Sequence, residues 1–270
     1  MGLRVNTNVA SMTAQRNLGS ITSRLQGNFA RLSSGLRIAT ASDDAAGLGI
    51  SERMRAQVRS LSAAGRNAQD GVSLTQTAEG AMQEISNNLS RMRELAIQSA
   101  NGTLSTADRA TLDTEYQELI SEIDRIATQT TFNGVNLLNS ATTVSIQVGS
   151  QAGETITVTF ADVTASTLSL TGDVLDVTNA TAELATLDAA IDSVSTARGQ
   201  MGATQNRMQS AIASIANARE NLAAAESRIR DVDVALETAD LTRNSIMQQA
   251  ATSVLAQANV QPQLALSLLG

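Results

Sequence analysis

Hydrophobic residues recur at spacings of three and four along most of the chain, the period of an amphipathic helix. Val5, Val9, Met12, Leu18, Ile21, Leu25, Phe29, Leu32 and Leu36 form a first stripe. A second runs through Val58, Leu61, Val72, Met82, Ile85, Leu89 and Met92, with Ala96 and Ser99 carrying it to a turn at Asn101-Gly102. Ser105 and Asp108 have the spacing of a capping box, which predicts the start of a third helix. Leu112, Tyr116, Leu119, Ile123 and Ile126 give that helix one apolar face. It ends near Thr131-Phe132-Asn133-Gly134, where Asn-Gly marks a turn.

The period then changes. Val144, Ile146 and Val148 alternate with polar residues, Gly149 to Gly153 supplies a turn, and Ile156, Val158 and Phe160 alternate again. That is the pattern of a β-hairpin. Residues 161–182, rich in Thr, Asp and Ser, read as loop or weak strand. Beyond them Leu187, Val194, Met201, Met208, Ile215, Leu222, Ile229 and Leu236 recur every seven residues. A small residue follows three positions after most of these, at Ala190, Ala197, Thr204, Ala211, Ala218 and Ala225. One large and one small seam position per heptad predict long helices packed at close axial distance. The sole proline, Pro262, is expected to break or kink the last helix.

Residues 45–100 and 183–236 would each span roughly 80 Å as helix, and 5–36 and 237–268 roughly 48 Å each. The inner pair with the helix at 105–128 can close an antiparallel bundle. The terminal pair exposes too much apolar stripe to stand alone in water, so it should order only when other copies cover it. The fold expected is mainly α: a long antiparallel helical bundle with coiled-coil-like terminal helices and a small β-hairpin region. The segments are 1–43, 44–140, 141–182, 183–230 and 231–270.

Charge sharpens the contrast between ends and middle. Residues 1–42 hold five Arg and no acid, and the last 27 residues, from Asn244, carry no charge at all. Between them 14 Arg face 26 acids, a net −12 within an overall −7. Such a balance disfavours nucleic acid. The acid-free, Arg-bearing start has the composition of an organelle transit peptide, but its hydrophobic period continues without a cleavage-like boundary. No secretory signal run is evident. The Gln- and Asn-bearing tail is too polar for membrane insertion.

Composition also limits the chemistry. The chain has no His, Cys or Lys, and only four aromatic residues: Phe29, Tyr116, Phe132 and Phe160. The commonest general base, zinc ligands, thiols, disulfides and Schiff-base lysines are all missing. An enzyme would have carboxylates, hydroxyls and Arg alone, and neither catalytic, cofactor nor metal sites are expected. Asp43-Asp44 reads as helix capping rather than a carboxylate pair, and the acids Glu115, Glu118 and Glu122 as a solvated helix face. Asn88-Leu89-Ser90, Asn101-Gly102-Thr103 and Asn179-Ala180-Thr181 match a glycosylation pattern short enough to arise by chance.

Several longer motifs, in order, resemble bacterial flagellin. They include Leu3-Arg4-Val5-Asn6-Thr7-Asn8, Leu32-Ser33-Ser34-Gly35-Leu36-Arg37-Ile38 and Ser42-Asp43-Asp44-Ala45-Ala46-Gly47. Arg91 to Asn101, Glu122-Ile123-Asp124-Arg125, Phe132-Asn133-Gly134, Ser253 to Asn259 and Leu266-Ser267-Leu268-Leu269 continue the match. Residues 141–182 stand where many flagellins insert large outer domains, so the chain resembles a minimal form.

The resemblance implies a filament subunit, exported by the flagellar type III apparatus and assembled outside the cell for swimming. It implies tube packing between copies through Val5, Val9, Leu18, Ile21, Leu25, Leu32, Ile246, Val254, Leu255, Leu264 and Leu268. It further implies as partners a filament cap protein, a hook–filament junction protein and an export chaperone on residues 230–270. The positions matching the Toll-like receptor five contacts of recognised flagellins are Arg91, Leu95 and Glu115. Two other readings compete: the junction protein itself, and a signalling coiled coil of the chemoreceptor type. The motif match in the tail disfavours the first, and a β-hairpin at mid-chain disfavours the second.

Overall fold

The computed structural model describes residues 7–267, with side chains as far as Gln261. Five helices carry the described chain: α1 (Val9–Ser34), α2 (Ala45–Ser99), α3 (Thr106–Gln129), α4 (Val177–Arg230) and α5 (Val234–Ser267). Two small antiparallel pairs lie between α3 and α4: β1 (Thr131–Phe132) with β2 (Val135–Asn136), and β3 (Thr142–Gln147) with β4 (Thr155–Phe160). The fold is mainly α, a long antiparallel helical bundle with a small β-hairpin region. Contacts divide it into two units, one of residues up to Ala56 and from Asn221 on, the other Gln57–Glu220.

In the second unit α2, α3 and α4 run alternately up and down. Arg91 of α2 pairs with Glu115 of α3, while Arg93 of α2 meets Asp188 of α4 and Glu79 of α2 accepts from Gln205 of α4. Met82, Ile85, Leu89, Met92 and Leu95 from α2, Tyr116 and Ile123 from α3, and Leu187, Val194, Met201 and Met208 from α4 share one core. This core is mostly aliphatic, with Tyr116 and Phe160 its two fully buried aromatic side chains. α3 opens on the expected capping box: the Ser105 side chain accepts from the Asp108 N–H, and the Asp108 carboxylate accepts from the Ser105 N–H. That bonding holds Asp108 below the usual carboxylate range, the Ser105 hydroxyl contributing most.

The Asn133-Gly134 turn closes a hairpin rather than merely ending a helix. Both residues have positive φ, 48° and 78°, the two-residue turn whose twist suits antiparallel strands. The larger hairpin pairs Val144 with Val158 and Ile146 with Ile156, and buries Ile146, Ile156, Val158 and Phe160 on one face. Gly71 of α2 leaves the space into which Ile146 and Met208 close.

Residues 161–176 form the loop expected, whereas 177–182, read as part of it, are helical. The loop has almost no regular structure, yet Val163, Ala165, Leu168, Leu170 and Val174 are buried in the same core. Side chains of α3 hold the irregular backbone: Asp124 accepts from the Ala165 N–H at 2.7 Å, and Asp113 from the Val174 N–H at 2.9 Å. Buried N–H groups outside a ladder need such partners. From Val177 the chain is already helical, capped by Asp176, which accepts from the Asn179 N–H at 2.8 Å.

Two expectations for the heptad run need correction. Leu187 through Ile215 are buried, but Leu222 and Ile229 are only half-buried and Leu236 is 69% exposed. The helix breaks at 231–233, so Leu236 belongs to α5 and leaves the seam. Close backbone approach is also not a feature of α4. It occurs between α1 and α5, whose Cα atoms come within 8 Å of one another repeatedly.

Candidate assembly interface

In the first unit α1 and α5 form an antiparallel pair. α1 turns inward Ser11, Ala14, Leu18, Ile21, Leu25, Asn28 and Leu32, and α5 turns inward Glu237, Leu241, Asn244, Gln248, Ala251, Leu255 and Ala258. Both series alternate three and four, a coiled-coil seam. Polar layers near its two ends fix the register. At one end Glu237 accepts from Asn28 and from the Arg31 Nε at 2.8 Å, while Asn244 donates to Asn28 at 2.9 Å. At the other, the Ser11 hydroxyl donates to Asn259 at 2.7 Å. A slip of one heptad would strand these groups without partners, the use of seam polar residues best attested in coiled coils.

The helical backbone continues through Pro262 to Ser267, so of the expected break or kink the break does not occur. Proline has no N–H, so the carbonyl four residues earlier, that of Ala258, loses its helical donor. Asn8 supplies the replacement: its Nδ2 donates to the Ala258 carbonyl at 2.7 Å. The same carboxamide accepts from the Ser11 N–H and caps α1. One side chain thus starts one terminal helix and satisfies the other.

The passages out of the pair are tied together. Gly35 ends α1 in the left-handed conformation at φ 72°, and Leu36 bridges Asp231. The N–H of Arg37 donates to the Arg230 carbonyl at 2.7 Å, and the N–H of Val232 to the Gly35 carbonyl at 3.0 Å. Asp44 caps α2 by accepting from the Gly47 N–H, and Asp43 accepts from the N–H groups of Thr40 and Ala39. Those bonds, Thr40's foremost, hold Asp43 below the usual carboxylate range. Both acids are backbone anchors.

The predicted packing residues divide. Ile21 and Leu25 are buried within the pair, and Leu18, Leu32 and Leu255 are half-buried there. Within the pair the partner helix covers Ile21 and Leu25. Val9, Ile246 and Val254 stay about 60% exposed. Met12, Phe29, Met247 and Val260 join them on the open faces, together with Val234 and Leu236 where α5 begins. Val5 and Leu268, and the side chain of Leu264, lie outside the described residues. The polar seam residues Asn8, Asn28, Glu237, Asn244 and Asn259 were missed by reading only apolar stripes; a heptad search admitting Asn and Gln finds the α5 series.

The three receptor-matching positions also part company. Arg91 donates to Glu115 at 2.8 Å and to Glu94 at 3.1 Å, in the open. Those bonds, Glu115's first, raise the Arg91 pKa further. Leu95 is 0% exposed, inside the core with Tyr116 and Met92. Leu95 lies on the bundle-facing side of α2, so the side chains exposed among the three are those of Arg91 and Glu115.

Comparison with known proteins decides the family. Residues 5–143 match the bacterial flagellin N-terminal helical region, and residues 184–269 the bacterial flagellin C-terminal helical region. The chain belongs to the bacterial flagellin family. A flagellin of Halalkalibacterium halodurans is 49% identical over 98% of this chain and 99% of its own length. A flagellar filament 30.7 kDa core protein of Treponema maltophilum is 44% identical, with the same shares covered. Among solved structures, Bacillus cereus flagellin superimposes with a TM-score of 0.52 at 37% identity, over 56% of this chain and 88% of that one. The family is structural, not enzymatic. No helix among the described residues is long and apolar enough to cross a membrane.

Proposed function

We propose that this flagellin-family chain is a filament subunit that polymerises, outside the cell, through the open faces of the α1–α5 pair. The exposed Val9, Met12, Phe29, Ile246 and Val254 on those two helices carry the reading. Large apolar side chains on both members of a pair are the mark of an association surface. Export through the flagellar type III apparatus, assembly beneath a cap protein on a junction protein, and swimming motility follow as parts of the same reading. An export chaperone binds residues 230–270 and covers α5 before secretion; the exposed apolar side chains of α5 support this.

Seeded or salted-out chain viewed by negative-stain microscopy tests the proposal, beside a chain trimmed to residues 45–235. Long filaments from the intact chain and none from the trimmed one are expected. Filaments from the trimmed chain would refute the role of α1 and α5. An intact chain that stays monomeric would favour the junction-protein or signalling-bundle reading.

The free chain also serves as a ligand of Toll-like receptor five, through Arg91 and Glu115. Their exposure on adjacent helices supports this, and their ion pair contributes little to folding, as expected for charges half in water. Arg91→Ala and Glu115→Ala each lower reporter signalling about tenfold or more, the effect of losing roughly 1.4 kcal/mol of contact, with unfolding unchanged. Full signalling by the double variant would sink the assignment.

A further inference from the structure

The chain holds two Asn-Gly pairs, and the fold treats them differently. Asn133-Gly134 is the turn of β1–β2, with Phe132 paired to Val135 on either side of it. Asn101-Gly102 lies in the open connection from α2 to α3, outside any strand or helix, and both residues are exposed. The Asn101 side chain has one described bond, accepting from the Thr103 N–H at 3.1 Å. A Cβ placed on Gly102 would meet nothing within 4 Å, and its φ is not positive.

We infer that Asn101 is a site of spontaneous, water-dependent modification: conversion of its side-chain amide to aspartate and isoaspartate. The Gly102 nitrogen bonds to the Asn101 Cγ, the bond from Cγ to the amide nitrogen breaks, and ammonia leaves with the proton shed by the attacking nitrogen. Water then opens the five-membered imide. Opening at Cγ leaves aspartate; opening at the backbone carbonyl leaves isoaspartate, with one extra carbon in the main chain. No oxidant, enzyme or cofactor is needed. Ring closure requires the Asn101 backbone to rotate, which in this connection breaks no strand pairing and displaces only the bonds that the Asn101 backbone makes to Arg109, Leu104 and Gln98. In the hairpin the same rotation would break the Phe132–Val135 pairing. Glycine at the second position exposes the attacking nitrogen, and the Cβ of any other residue would crowd it.

The product alters the fold where it forms. The Asn101 carbonyl accepts from Arg109 Nη2 at 2.8 Å and from the Leu104 N–H at 3.3 Å. Isoaspartate displaces that carbonyl and loosens the end of α2, so the site acts as a chemical clock on the subunit.

The test is peptide mass mapping of the full-length chain held in mildly alkaline buffer at physiological temperature, with isoaspartate resolved by chromatography. Conversion at Asn101 should outpace that at Asn133 several-fold. Gly102→Ala, which the open space and ordinary φ accommodate, should suppress it several-fold while leaving the helical circular dichroism unchanged. Equal or faster conversion at Asn133, or conversion of the Gly102→Ala chain at the original rate, would overturn the inference.

Discussion

Leu95→Ala lowers stability by about 2–5 kcal/mol, the usual cost of emptying a fully buried leucine site. Leu95 has no exposed surface and shares its core with Met92, Tyr116 and Ile123, so the lost methyl groups leave a cavity. The protein has a single tyrosine and no tryptophan, and Tyr116 sits in that core. Urea unfolding followed by tyrosine fluorescence therefore reports on this unit. For a slope of about 1–3 kcal/mol/M the midpoint falls by about 0.7 M or more. Leu95→Met nearly conserves volume and should cost less than about 1.5 kcal/mol. An unchanged midpoint for Leu95→Ala would return Leu95 to the surface and restore a three-residue receptor contact. With the expected fall, any loss of signalling in that variant reflects the fold.

Arg109→Ala is the second large effect, a loss of about 2–4 kcal/mol from two charge-assisted bonds, one to the Ser99 carbonyl and one to the Asn101 carbonyl, which keeps only the longer bond from the Leu104 N–H. Arg109 is the one charged residue classed as buried among those described. Its Nε donates to the Ser99 carbonyl at 2.9 Å and its Nη2 to the Asn101 carbonyl at 2.8 Å. A cation at the end of α2 also faces the negative pole of that helix. Arg109→Lys keeps the charge but replaces the planar fork by a single ammonium, so it should recover only part of the loss. The same unfolding experiment reads both variants. A lysine chain as stable as the original would show that charge alone suffices, and an unchanged alanine chain would remove the cap altogether.

The α2–α3 connection is thus held by one buried guanidinium and adjoins the Asn101 site. Isoaspartate there should reproduce part of the Arg109→Ala effect, since it moves one of the two carbonyls.

Much of this protein was legible in its residues because the signals were local and periodic. The α3 capping box, the stripe through Tyr116 and Ile123, the alternation in β3 and β4, and the acid-anchored start of α2 each depend on a few neighbours. The long motifs at both ends settled the family for the same reason: they are contiguous. Apolar stripes marked both terminal helices as needing cover, without telling which side chains would receive it from within the chain.

The rest depended on residues far apart in sequence. Ile21 and Leu25 differ from Val9 only in which of them α5 covers, and an amphipathic pattern cannot name its partner. Pro262 stays inside a helix because Asn8, some 250 positions away, donates to the carbonyl it orphans. Val163, Ala165, Leu168, Leu170 and Val174 are buried without any period in a segment whose backbone Asp113 and Asp124 bond. Leu95 and Arg91 are four apart on one helix, yet one is core and the other surface. Local pattern determines where helices and strands form, since it fixes their hydrogen bonds and periodic faces. Which side of each element meets protein or water is decided by packing, where a single distant side chain can outweigh the local rule.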